Sequence, residues 1–113
     1  MILNVKVTGK IEDIKERPMG VIIKGKLDRL VMSSECCDTE IIRLLKGYDT
    51  VILKGNDLNV TAQIENVVIV TGEFTALTLY NSETEESKDY YVKTCCIKLV
   101  KAEEIEEDDL AFE

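Results

Sequence analysis

Apolar residues fall on alternate positions from the start of the chain. Leu3, Val5, Val7 and Ile11 lie on one side, and Asn4, Lys6, Thr8 and Lys10 on the other. A period of two is the mark of a half-buried β-strand. Gly9 interrupts the run and predicts a bend or bulge. Residues 12–18 read as a polar connection closed by Pro18, the sole proline. Residues 19–32 read as a second extended region, either one bent strand or a short hairpin about Gly25. Residues 50–53 and 58–64 read as strands around a bulge or turn at Gly55-Asn56-Asp57. Val67 opens a long strand that runs past Gly72 to Tyr80. Its first residues are apolar on both faces, as in a central strand. Residues 81–89 form a charged loop, and 90–101 return as the last strand.

Residues 33–49 change character. Ile41, Ile42, Leu44 and Leu45 recur at helical spacing. Asp38 suits an N-cap, with Cys37 placed to staple against Ile42. Arg43 and Lys46 suit the negative end of the dipole, and Gly47 suits the C′ position. The pattern predicts one short helix at about 38–46. Strands bent at glycine around a single helix predict a mostly β fold, a small closed or partly open barrel of about five to six strands.

Charge divides the chain in two. The net charge of -8 comes from 22 acidic against 14 basic residues. Seven of the acids lie in the last eleven residues, which hold no base, so residues 1–102 are nearly neutral. We therefore read 1–102 as the folded domain and 103–113 as an acidic tail, too charged to bury itself. With 45% hydrophobic residues the domain can build a core. The opening residues enter the strand pattern directly, without the long apolar stretch of a signal peptide, and no segment has the length of a membrane span. A cytoplasmic protein is expected.

The chemistry of the chain points away from catalysis. It has no histidine, no glycine-rich phosphate loop and no nucleophile motif. Its paired carboxylates, Glu12-Asp13 and Asp108-Asp109, fall in solvated segments and make weak acid–base candidates. The cysteines form two adjacent pairs, Cys36-Cys37 and Cys95-Cys96. Neighbours on a strand point to opposite faces and cannot close on a metal as a spaced pair does. Reduced, mostly buried cysteines, no metal and no cofactor are expected.

Three segments resemble bacterial single-stranded-DNA-binding proteins. The run 4–11, Asn-Val-Lys-Val-Thr-Gly-Lys-Ile, is similar to their opening strand. The run 41–58 is similar to their join between a short helix and the next strand, through Lys46-Gly47-Tyr48-Asp49. The tail Asp108-Asp109-Leu110-Ala111-Phe112 resembles their acidic tip, with Ala111 where proline is usual and Glu113 after the phenylalanine. The resemblance implies an OB-like barrel that holds single-stranded DNA on one curved face. It also implies a tail that recruits replication and repair proteins through Asp108, Asp109, Leu110 and Phe112.

Single strands are held by stacking on aromatic rings and by cations along the backbone. The chain has four tyrosines, two phenylalanines and no tryptophan. Phe74, Tyr80, Tyr90 and Tyr91 are the stacking candidates. Lys6, Lys10, Lys24, Lys26, Lys54 and Lys93 are the phosphate candidates. A homo-oligomer is expected, because a shallow face gains affinity by repetition. The run 51–80 also resembles small sporulation proteins of the YabP type. That likeness implies a β-rich structural protein associating through its sheet edges.

Overall fold

A computed structural model describes residues 2–35, 37–93 and 97–101. The tail and three of the four cysteines lie outside the described residues. Seven strands follow one another: β1 (Leu3–Arg17), β2 (Gly20–Ser34), β3 (Cys37–Leu44), β4 (Thr50–Ile64), β5 (Val67–Tyr80), β6 (Ser87–Lys93) and β7 (Lys98–Lys101). All pairings are antiparallel, and β1 pairs with both β2 and β5, so β1-β2-β4-β5 closes into a ring. The fold is thus mostly β with a partly ring-like sheet, as the alternation predicts.

The ring is flattened into two layers because its strands bend midway. Layer A contains the second half of β1, the first halves of β2 and β4, the second half of β5, then β6 and β7. Layer B has the order β3, second half of β2, first half of β1, first half of β5, second half of β4. Each long strand passes from one layer to the other near a glycine: Gly9, Gly25, Gly55 or Gly72. Bends of this kind let strands switch sheets at the corners of a sandwich. At Gly25 the bend is tight enough that a Cβ would lie 2.1 Å from the Lys10 carbonyl oxygen. A bend also breaks the ladder and frees backbone donors, which must be satisfied elsewhere. Gly9, Gly25 and Gly55 give their N–H groups to the loop carbonyls of Asn66, Asp49 and Met19, at 3.1, 3.0 and 3.2 Å.

The core fills the space between the layers. Val21, Ile23, Val51, Leu53, Leu77 and Leu79 point in from layer A, and Val5, Val7, Leu30, Met32, Val68 and Val70 from layer B, all buried. Phe74, at the β5 bend, is also buried. The open side between β3 and β6 is closed by Arg43, whose guanidinium lies 4.9 Å from the centre of the Tyr90 ring.

The helix expected at 38–46 is not formed, and β3 occupies those residues, paired with β2 from Arg29↔Leu44 to Ser34↔Cys37. Ile41 and Arg43 turn inward while Ile42 and Leu44 stand exposed, a period of two. Helical spacing would have buried Ile41, Ile42, Leu44 and Leu45 together. The edge of β2 supplies backbone partners, and β-branched Thr39, Ile41 and Ile42 favour a pleated strand. The single last strand expected at 90–101 is instead a pair, β6 and β7. Among the described residues no helix is long and apolar enough to cross a membrane.

Candidate nucleic-acid interface

The register decides which candidates share a surface, because paired residues lie on the same face of a sheet. On layer A the inward set includes Ile23, Val51 and Leu79. Their neighbours Lys24, Thr50 and Tyr80 therefore face outward, in a row through Lys24↔Thr50 and Thr50↔Tyr80. A second row crosses five strands through Arg17↔Gly20, Gly20↔Lys54, Lys54↔Ala76 and Ala76↔Tyr91. Between them lie Lys15↔Ile22, Ile22↔Ile52, Ile52↔Thr78 and Thr78↔Asp89. Lys93 projects from the same side of β6, two residues beyond Tyr91 and paired with Lys98.

Five of the expected contacts therefore stand on one face: Lys24, Lys54, Tyr80, Tyr91 and Lys93. Gly20 and Ala76 lie on either side of Lys54 and leave shallow grooves there. One is lined by Arg17, Pro18, Met19, Ile22 and Ile52 up to Lys54. The other runs from Lys54 across Ala76 and Thr78 to Tyr91. Lys54 and Tyr91 lie two strands apart, about 10 Å at ordinary strand spacing. Tyr91 is 46% exposed and offers a ring to solvent at the end of this groove. Lys15, Arg17 and Lys98 add positive charge, against the carboxylates of Asp13 and Asp89. Asp89 accepts a hydrogen bond from the Thr78 hydroxyl at 2.7 Å.

The other expected contacts are elsewhere. Phe74 and Tyr90 are 2% and 4% exposed, so neither ring can stack on a base. Phe74 packs inside the β5 bend, and Tyr90 faces inward opposite Leu77 beneath Arg43. Lys6 projects from layer B between Val31 and Ile69. Lys10 and Lys26 face one another at the corner beside Gly9 and Gly25. Asp108, Asp109, Leu110 and Phe112 lie outside the described residues.

No family model, curated protein or solved structure matches this chain. The assignment of a site therefore rests on its own geometry. Lys15 and Arg17 were missed by the sequence reading because 12–18 looked like a connection. The sequence carries little signal for them: only Ile14 is apolar in this stretch, and the bulge between Ile11 and Asp13 reverses the parity that Leu3, Val5 and Val7 set.

One rim of the face is held by a loop cluster. Asp49 takes hydrogen bonds from Thr50 Oγ1 at 3.0 Å and from the Ser82 amide at 3.1 Å, and one from the Ser82 hydroxyl. Its own amide donates to the Tyr80 carbonyl at 3.1 Å. The Ser82 hydroxyl, with help from the other donors, holds the Asp49 carboxyl below its usual value. Asn81 Nδ2 donates to the Gly47 carbonyl at 2.7 Å. The loop after β3 is thus tied to the loop after β5, beside the half-buried Tyr80. Among the described residues no three His, Cys, Asp or Glu side chains are grouped to hold a metal.

Proposed function

We propose that the outward face of layer A binds single-stranded nucleic acid, DNA in the first instance, as a non-enzymatic module. The observation that carries this reading is the row Arg17, Gly20, Lys54, Ala76, Tyr91 across five strands. It alternates cation, small residue, cation, small residue and ring. A strand laid along it would set phosphates against Arg17 and Lys54 and a base on Tyr91, with Lys24 and Lys93 to the sides. Stacking contributes about 1–3 kcal/mol per base and tolerates any sequence. The phosphate contacts make affinity fall with salt. The acidic segment 103–113 is assigned the recruitment of partner proteins and leaves the domain close to neutral.

The test is fluorescence anisotropy of a labelled thirty-mer oligo-dT at low and moderate salt. Binding weakened by salt is expected. Tyr91→Ala should weaken it about 5–150-fold, the loss of one stacked base. Lys54→Gln should weaken it and lower the salt slope by about one phosphate contact. Lys6→Gln, on the opposite layer, should change neither. No binding at low salt, or equal losses for Lys6→Gln and Lys54→Gln, would remove the assignment.

A further inference from the structure

An unpaired strand edge is a row of free N–H and C=O groups that can template another strand, and natural sheets blunt such edges with charge, bulges or brevity. Among the described residues the two layers leave four edges: β1 and β7 in layer A, β3 and β4 in layer B. Three of them are blunted. The second half of β1 carries a bulge between Ile11 and Asp13 and alternating charges up to Arg17. The β7 strand is four residues long with lysine at both ends. The second half of β4 bulges between Asn56 and Asn59 and again between Val60 and Ala62.

The β3 edge has no such protection along its second half. Residues 41–44 stay in unbroken register with 29–32, the one irregularity lying opposite Met32 and Ser34. Ile42 and Leu44 project outward beside this edge, 55% and 71% exposed. Such side chains invite a neighbour strand where lysine or proline would repel one. The charge order along the segment selects the neighbour. Asp38 and Glu40 precede the two isoleucines and exposed Lys46 follows them, while Arg43 is turned inward over Tyr90. Antiparallel pairing of two identical segments sets the acidic end of each against Lys46 of the other. Parallel pairing would set like against like.

We propose that β3 pairs antiparallel with β3 of a second copy of this chain, about a two-fold axis at Ile42. The two layers B then become one continuous sheet of ten strands. Ile42 of one copy meets Ile42 of the other, Glu40 meets Leu44, and Asp38 of each comes opposite Lys46 of its neighbour. The contact is isologous and closed, so it ends at a dimer. This inference goes beyond nucleic-acid binding and does not depend on it.

Sedimentation velocity of the full chain over a range of concentrations tests the proposal, with circular dichroism as the check on folding. A reversible dimer is expected. Ile42→Lys places two like charges at the axis and should raise the dissociation constant at least about tenfold. Ile64→Lys, at the opposite edge of the same layer, should leave it unchanged. Because Ile42 is exposed, either variant should fold. Ile42→Cys gives a second readout. Opposed residues in antiparallel strands have Cα atoms about 4.5–5.5 Å apart, within reach of a disulfide. Mild oxidation should therefore yield a covalent dimer above the level formed by the unsubstituted chain and by an Ile64→Cys control. A monomer at every concentration would overturn the proposal. So would a chain truncated after Ala102 that dimerises where the full chain does not, since the tail would then occupy the edge. A dimer equally weakened by Ile42→Lys and Ile64→Lys would overturn it as well.

Discussion

Gly25→Ala should be among the most damaging single-methyl additions in this chain, and its cost can be divided into two parts. The first is steric. The new Cβ would lie 2.1 Å from the Lys10 carbonyl oxygen and 3.0 Å from both the Glu12 amide nitrogen and the Ile11 Cα. These are backbone atoms of a paired strand and cannot swing aside as a side chain would. Overpacking of this kind costs about 1–3 kcal/mol, sometimes more. The second part is conformational. Gly25 has φ +157, which residues with a Cβ rarely adopt, at a cost of about 1–3 kcal/mol. Together they take roughly 2–6 kcal/mol from the 5–15 kcal/mol that typically hold a domain together. Two other glycines separate the parts. Gly47 has φ +92 but nothing within 4 Å of an added Cβ, so Gly47→Ala reports the backbone alone. Gly55 has no positive φ, but its Cβ would come 2.0 Å from the Glu73 carbonyl oxygen, so Gly55→Ala reports the clash alone. Urea unfolding should rank the losses Gly25 above Gly55 above Gly47, with m unchanged. In heat the Gly25 variant should melt about 8–24 °C below the parent, at roughly 4 °C per kcal/mol. If Gly25→Ala cost no more than Gly47→Ala, the bend at Gly25 would not be held by the close approach of β1 and β2.

Two further outcomes follow from the closing contact and the loop cluster. A double-mutant cycle with Arg43→Met and Tyr90→Leu should give a coupling of about 0.5–2 kcal/mol in urea unfolding, the range for a cation over a ring. Arg43→Met alone should cost little, because it also removes a buried Nε that has no hydrogen-bond partner; zero coupling would mean that Arg43 merely lies over the ring. Asp49 has a folded-state proton affinity below that of its unfolded state, so its contribution is complete above about pH 4 and is lost as pH falls through the folded value. Asp49→Asn should therefore be less stable than the parent at pH 7, with the gap closing in urea titrations toward pH 2; a gap independent of pH would show that the carboxylate charge plays no part.

Several strands were legible because alternation survives along them, and the bends at Gly9, Gly25 and Gly55 because glycine breaks the run there; the bend at Gly72 is not marked, since apolar residues continue past it. What one sequence could not show is the side of each residue once a strand has bulged. The bulges in β1 and β4 insert a residue and reverse the parity of everything that follows on the strand. Lys6 and Lys15, of opposite parity on either side of the β1 bulge, both face outward, but from opposite layers. The helix at 38–46 was misread for a related reason. Four apolar residues at 41, 42, 44 and 45 satisfy a helical face only if all are buried. Two of them are exposed at a sheet edge, an outcome set by a β2 partner that no local pattern reveals. Tyr90 and Tyr91 were bound to part company on any strand, but which one faced Leu77 depended on the pairing with β5.

The two proposed surfaces lie on different layers, and this gives their combination a geometry of its own. Residues opposed in an antiparallel pair project to the same side of the sheet. When β3 meets its copy, both layers A therefore lie on the same side of the joined layer B. Their outward faces point the same way, and a single nucleic-acid strand can run from one to the other. Engagement of the second face is then intramolecular and raises avidity without any new contact. An oligonucleotide long enough to reach both faces should lose affinity when Ile42→Lys separates the copies, while one that fills a single face should not. Equal losses for short and long oligonucleotides would place Ile42 at the binding face itself and contradict the register that sets β3 on the opposite layer.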